Sequence, residues 1–367
     1  MPSLLLAALL TSTTPAVAAR WEVRFFHDAN DSELTILDLA FPSARRGVAT
    51  GYLTLRGGKI QPRAVITSDG GAHWSLVPLK EVGRSLFFLN ETIGWMVSPK
   101  GIWQTLESGR GWRKVSKKRG ILRLWFLDRR HGFAVGEKKA IYETHDGGQH
   151  WKPVPAAAEP KTTKEFTSYD WVEFANPRQG TIVGYSEPPR RNRSRFPDWM
   201  DPERAARRRE WPSLTIVLQT NDGGRSWKPS TTSIFGRIVR VRTGPDGRAL
   251  ILVRFRNSFE WPSEVYATDP RTGKTKRVFR RKDRSITDVA WTRGGTAYLA
   301  GYEPTGQLLE SPVPGRLVVL RSKDLVNWEE MEADYRAYAH AAMLAAPEGG
   351  GVWVATDTGM ILKLVGD

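Results

Sequence analysis

The sequence predicts an all-β fold, a seven-bladed β-propeller of four-stranded antiparallel blades. Three observations carry that prediction. One turn motif recurs along the chain, an apolar-to-glycine offset recurs seven times, and no long stretch between Trp21 and Asp367 shows helical periodicity. The turn occurs as Thr67-Ser-Asp69-Gly-Gly71-Ala-His-Trp74, Thr144-His-Asp146-Gly-Gly148-Gln-His-Trp151 and Thr220-Asn-Asp222-Gly-Gly224-Arg-Ser-Trp227, with a weaker copy from Thr105 to Trp112. Its tryptophans lie 38, 39 and 76 residues apart, and a period near forty residues built of short strands is that of a propeller blade.

Each turn reads as a hairpin. Asp69, Asp146 and Asp222 can accept bonds from amides of their own turn, while the glycines supply positive φ where the chain doubles back. Trp74, Trp151 and Trp227 then bury a large apolar face at the start of the next strand. The spacing Ser/Thr-x-Asp-x-Gly-x-x-Trp resembles the Asp-box, or BNR, repeat of sialidases and related propellers. An aspartate engaged by its own backbone is not free for chemistry, so these boxes are read as structural staples.

The second pattern counts the blades. An apolar residue ending one strand is followed six positions later by a glycine opening the next: Phe41 to Gly47, Phe88 to Gly94, Phe126 to Gly132 and Phe174 to Gly180. The offset continues as Val241 to Gly247, Val289 to Gly295 and Met343 to Gly349, which makes seven units. The last unit stops at its third strand, 360–364, and the chain begins with a strand at 20–25 carrying Trp21. That N-terminal strand is expected to complete blade seven and close the ring, removing an exposed sheet edge.

Residues 1–19 are expected to be a signal peptide, with a short apolar run at 4–10 and small residues before the cleavage site, although a basic n-region is missing. Residues 20–367 form the propeller, at about 50 residues per blade. Export to a periplasm, a thylakoid lumen-like space or the extracellular medium follows. The apolar run is too short to span a bilayer. With no cysteine, stability rests on the packed core.

Lys and Arg exceed Asp and Glu by 55 to 39, a net charge of +16. In a propeller, the loops joining second to third strand and outer strand to the next blade share one face, the top. A basic insertion in blade four, 186–213, belongs there, with Arg190, Arg191, Arg193, Arg195, Arg207, Arg208 and Arg209 interleaved with Trp199 and Trp211. Arg254 and Arg256 beside Trp261, Arg280 and Arg281, and the segment Lys117, Lys118, Arg119 run into the same face. Arginine and tryptophan are common anchors of interfaces. The expected partner is therefore an acidic protein surface or an anionic polymer, recognised by a monomer whose binding weakens with salt.

The blade consensus, aromatic-x5-Gly-Φ-x-Val-Gly followed by Thr-x-Asp-Gly-Gly-x-x-Trp, resembles the photosystem II assembly and stability factor propellers of chloroplasts and cyanobacteria and their bacterial relatives. Blades two to four carry it best, as in Phe126, Gly132-Phe-Ala-Val-Gly136 and Thr144-His-Asp146. The resemblance implies a seven-bladed ring, export, an arginine-rich binding face and a non-enzymatic role in assembling or stabilising partner proteins. The arginines of the blade-four insertion have no counterpart in the simple repeat.

A sialidase-like glycoside hydrolase is the enzymatic alternative and an anionic glycan-binding protein the other. The hydrolase would need an arginine triad, a Tyr–Glu pair and paired carboxylates at suitable separation. Asp28, Asp31, Glu33 and Asp170 are the acidic candidates on the top connections. No residue is assigned a catalytic role and no cofactor is expected. Gly273-Lys-Thr275 lacks the first glycine of a phosphate loop. The six histidines show no metal-ligand spacing, the acidic stretch 28–33 reads as a solvated loop, and nucleic-acid modules are missing.

Overall fold

The structure, a computed structural model, describes residues 19–29, 31–188, 198–305 and 311–366. Among these, the strands form seven antiparallel sheets. The inner strands, Ser32–Ala40, Ser85–Phe88, Ile121–Phe126, Thr167–Phe174, Arg237–Thr243, Ser285–Trp291 and Ala342–Ala345, line a central channel. Blade six carries a fifth short strand, Tyr338–Ala339, on its third strand. One short α-helix, Pro202–Arg207, lies in the blade-four insertion, where the Asp201 carboxylate accepts the Arg204 amide at 3.1 Å. Residues 1–18 of the expected 1–19 leader lie outside the described residues.

The ring closes through its termini. Arg20–Phe26 pairs antiparallel with Met360–Val365, placing Trp21 opposite Leu364. Trp21 is buried among Tyr298, Leu317 and Leu364, so the closing strand brings an aromatic anchor as well as a hydrogen-bond ladder.

Blades one to four explain their aromatic-to-glycine spacing sterically. A Cβ on Gly132 would lie 2.5 Å from the Phe126 ring, and the same holds for Gly47 under Phe41 and Gly180 under Phe174. The ring occupies the space a side chain would need. Blades five to seven follow another register. Val241 pairs with Ile251, Val289 with Leu299 and Met343 with Ala355, so their second strands begin at Ala249, Ala297 and Trp353. Gly247 and Gly295 sit in the preceding turns with φ of +81° and +79°. There glycine serves a left-handed turn rather than an aromatic contact, and the six-residue offset counts blades without marking strand starts.

The boxes act between blades as well as within them. In blade one, the Thr67 hydroxyl donates to Asp69 at 2.9 Å, and Asp69 accepts the His73 amide at 3.0 Å. The same pattern holds around Asp146 and Asp222. A Cβ on Gly71 would strike Trp353 of blade seven at 2.3 Å, and one on Gly224 would strike Phe133 of blade three at 2.2 Å. Each of these boxes thus seats against the second strand of the preceding blade. Trp74, Phe41 and Trp353 form an aromatic triad across that seam, repeated as Trp151, Phe126, Trp95 and as Trp227, Phe174, Phe133. Blade six holds a shortened box that the sequence pattern passes over. Ser322 donates to Asp324 at 3.0 Å, Asp324 accepts the amides of Val326 and Asn327, and Leu325 takes the positive φ in place of glycine.

Candidate functional site

Strand polarity puts the basic insertion of blade four beside the second-to-third loop of blade five. Glu210 joins them. Its buried carboxylate accepts the amides of Arg256 and Asn257 at 2.7 and 2.8 Å, and Ser258 exchanges backbone bonds with Arg208 and Glu210. A buried carboxylate satisfied by two amides is a firm attachment. The joined loops present Trp199 and Trp211, 55% and 67% exposed, next to exposed Arg207 and Arg209.

Between blades four and five lies an apolar hollow of about 580 Å³ lined by Phe235, Phe255, Phe259, Trp261, Tyr266 and Arg280 among others. Arg280 lies flat over Trp261, its guanidinium carbon 3.5 Å from the ring centroid. Phe255 and Phe259 stack at 4.2 Å. Among the described residues Arg280 is the one guanidinium in this lining and pairs with Glu264 at 3.4 Å, so the hollow is suited first to an apolar side chain. Arg254, at the end of Ala249–Arg254, is half-buried, and the hollow takes Ile251 and Val253 of that strand instead.

Several of the basic residues are already engaged. Arg281 makes a two-point pair with Asp283 at 3.0 and 2.8 Å. Arg284 turns inward to grip Glu330 at 3.0 and 2.8 Å, and Arg256 shares Glu187 with Arg237. Lys118 caps Tyr142 of blade three, away from the blade-four and blade-five loops. Arg190, Arg191, Arg193 and Arg195 lie outside the described residues. Of the residues expected to bind, Trp199, Arg207, Arg208, Arg209 and Trp211 lie in the blade-four insertion and Arg256 and Trp261 in the blade-five loop tied to it, with Arg280 over Trp261.

The channel holds a second charged cluster, which sequence reading missed. Asp38, Arg123, Trp171, Arg240 and Asp288 occupy one equivalent position, directly after the β-bulge of an inner strand. Trp171 is ringed by three guanidinium groups, from Arg123, Arg242 and Arg240, at 4.6, 4.7 and 4.8 Å. Carboxylates offset them. Asp38 accepts Arg123 at 2.9 Å and the Leu86 amide at 2.8 Å; Asp288 accepts Arg240 at 3.3 Å and the Leu344 amide at 2.9 Å; Glu173 accepts Arg242 at 3.1 Å and the Thr243 amide at 2.7 Å. Burial, together with the facing charge of Arg123, holds Arg240 down to about 10. These ties fasten inner strands to one another around a cavity of about 320 Å³. Counting back three residues from the inner-strand ends at Phe126, Phe174, Thr243 and Trp291 reaches Arg123, Trp171, Arg240 and Asp288, though not Asp38.

The acidic candidates for hydrolysis do not assemble. Asp28, Asp31 and Glu33 are exposed at the edge of blade one. Asp170 lies inside the inner strand Thr167–Phe174 rather than on a loop before blade four, where burial pushes its carboxyl up against the bond from Ser168. Tyr185 stands near it, under Arg237 at 3.4 Å. Burial and the Asp170 charge push the Tyr185 phenol up, the opposite of what a phenolate nucleophile needs.

Residues 114–188 match the family model described as photosynthesis system II assembly factor YCF48. The photosystem II assembly protein Ycf48 of Thermosynechococcus vestitus is 24% identical over 257 residues, covering 66% of this chain and 68% of that protein. The photosystem II assembly lipoprotein Ycf48 of a Synechococcus species is 26% identical over 261 residues, covering 65% and 70%. Among solved structures, YCF48 bound to a D1 peptide superposes with a TM-score of 0.60 at 18% identity, over 97% of this chain and all (100%) of that one. YCF48 from Cyanidioschyzon merolae gives 0.58 at 15% identity, over 94% and 98%. In sequence and in fold, the chain is a β-propeller similar to the photosystem II assembly factors.

Proposed function

We propose that this chain is an exported, non-catalytic assembly scaffold that binds, as a monomer, an acidic segment of a partner protein on the top of blades four and five. The observation that carries this reading is the Glu210 attachment, which ties the insertion bearing exposed Trp199 and Trp211 to the blade-five loop that supplies Phe259 and Trp261 to the aromatic hollow. The similar propeller captured with a D1 peptide supports a polypeptide rather than a small molecule as ligand. Export is supported by the leader-like 1–19 and by the lipoprotein among the relatives. Among the described residues no helix is long and apolar enough to cross a membrane.

The test is affinity capture from native extract at rising salt, using the mature chain and an Arg207→Ser, Arg209→Ser, Trp211→Ala variant. Capture of a defined protein that weakens with salt and fails with the variant is the expected result. Equal capture in high salt and by the variant would overturn the reading. Retention on heparin without any captured protein would favour the anionic glycan alternative, and turnover of a fluorogenic sialoside would favour the hydrolase.

A further inference from the structure

We propose that His131, Glu143 and His145 bind a divalent transition-metal cation, Zn2+ or an ion of similar softness, on the turn face of blade three. The three residues come from two neighbouring stretches of chain. His131 closes the turn before the strand Gly132–Gly136, Glu143 lies on Ala140–Thr144 opposite Phe133, and His145 is the second residue of the blade-three box. Ladder register and box geometry bring them together. The Nε2 of His131 lies 2.8 Å from Glu143 Oε1, and the Nε2 of His145 lies 3.3 Å from the same oxygen.

All three ligand atoms fall within 4.8 Å of one another. Ligand atoms about 2.0–2.1 Å from a tetrahedral ion stand roughly 3.3 Å apart, so closing the widest pair around the ion takes at most about 1.5 Å, shared between two side chains. Two imidazoles and one carboxylate are a donor set suited to zinc and its neighbours rather than to magnesium or calcium. The side chains are 22%, 27% and 65% exposed for His131, Glu143 and His145, which leaves a fourth position open to water.

The surrounding turns hold the ligands in place. Asp128 accepts the amides of Arg130 and His131, both at 2.7 Å. Arg130 Nε donates to the His145 carbonyl at 3.2 Å, directing that guanidinium at the backbone. The imidazoles are stacked 4.6 Å apart, and His131 also rests on Phe133 at 5.1 Å. Support of this kind keeps ligands near a binding geometry. The other box histidines lack it: His73 and His150 each face a single aspartate, Asp69 and Asp146, whose oxygens are engaged by turn amides.

The experiment is calorimetric titration of the full chain with Zn2+, with Mg2+ as the hard-ion control. One saturable equivalent of Zn2+ per chain at micromolar concentration is expected, with no comparable Mg2+ binding. His145→Ala, at an exposed position that leaves the fold intact, should weaken it by on the order of tenfold or more, and Glu143→Gln should act in the same direction. A His73→Ala, His150→Ala double variant should bind as the parent does. In NMR spectra, Zn2+ should shift the His131 and His145 ring resonances and leave the other four histidines unmoved. Absence of saturable binding, equal binding by His145→Ala, or loss of binding in the double variant would overturn the assignment.

Discussion

Phe126 stacks face to face on Trp95, with ring centroids 3.6 Å apart and planes 7° from parallel, and the two residues belong to adjacent blades. Trp151 meets the edge of the same Phe126 at 6.1 Å, and the Trp95 indole donates to the Gly147 carbonyl of the blade-three box at 2.9 Å. One seam therefore joins an inner-strand aromatic, a second-strand aromatic and a box. Box and glycine offset, separate patterns in the sequence, are two sides of one packing unit.

Phe126→Ala should cost about 3–5 kcal/mol, because the ring is fully buried and both neighbours lose their partner. Gly132→Ala should also destabilise, by about 1–3 kcal/mol, since its new methyl would enter the Phe126 ring. Urea unfolding midpoints measure both, and a Gly132→Ala midpoint equal to the parent's would contradict the seam.

Deleting residues 20–29 removes the outer strand of blade seven, exposing the edge of Met360–Val365 and uncovering Trp21's pocket. Loss of the cooperative thermal transition is expected. An unchanged melting temperature by circular dichroism would rule out closure by that strand.

Asp288→Ala leaves the Leu344 and Val289 amides and the Arg240 guanidinium without their acceptor. Breaking a buried ionic contact on one side costs about 3–5 kcal/mol. Asp288→Asn keeps an acceptor oxygen and should lose less. A variant pair with equal unfolding free energies would show that the channel charges contribute nothing beyond shape.

Acid should weaken the fold through the boxes. The His73 amide and ring hold Asp69 well below the usual carboxylate range, and the Ser226 hydroxyl and amide do the same for Asp222. A carboxylate with a depressed folded pKa contributes stability that is present above its unfolded value, about 3.9, and is lost as pH falls toward the folded one. Asp170, pushed up by burial, has the opposite sign: its contribution is present at low pH and is lost as pH rises through its folded value. An Asp69→Asn, Asp222→Asn variant should therefore show a shallower decline below about pH 4 than the parent. Superimposable acid limbs in pH-dependent urea melts would refute this.

The sequence by itself determined the blade count, the place of three boxes and the closing strand, because turn chemistry and strand alternation act over a few residues and repeat with a readable period. Tertiary structure decided the rest. Register in blades five to seven depended on which glycines met an aromatic ring and which served only a turn. Arg281 and Arg284 look alike in sequence, yet one pairs at the surface and the other is buried on Glu330. The Asp38–Leu86 and Asp288–Leu344 ties span 48 and 56 residues, and His131 meets Glu143 and His145 only across a ladder. Such meetings arise when the ring closes and brings distant inner strands within reach, a relation no local spacing encodes.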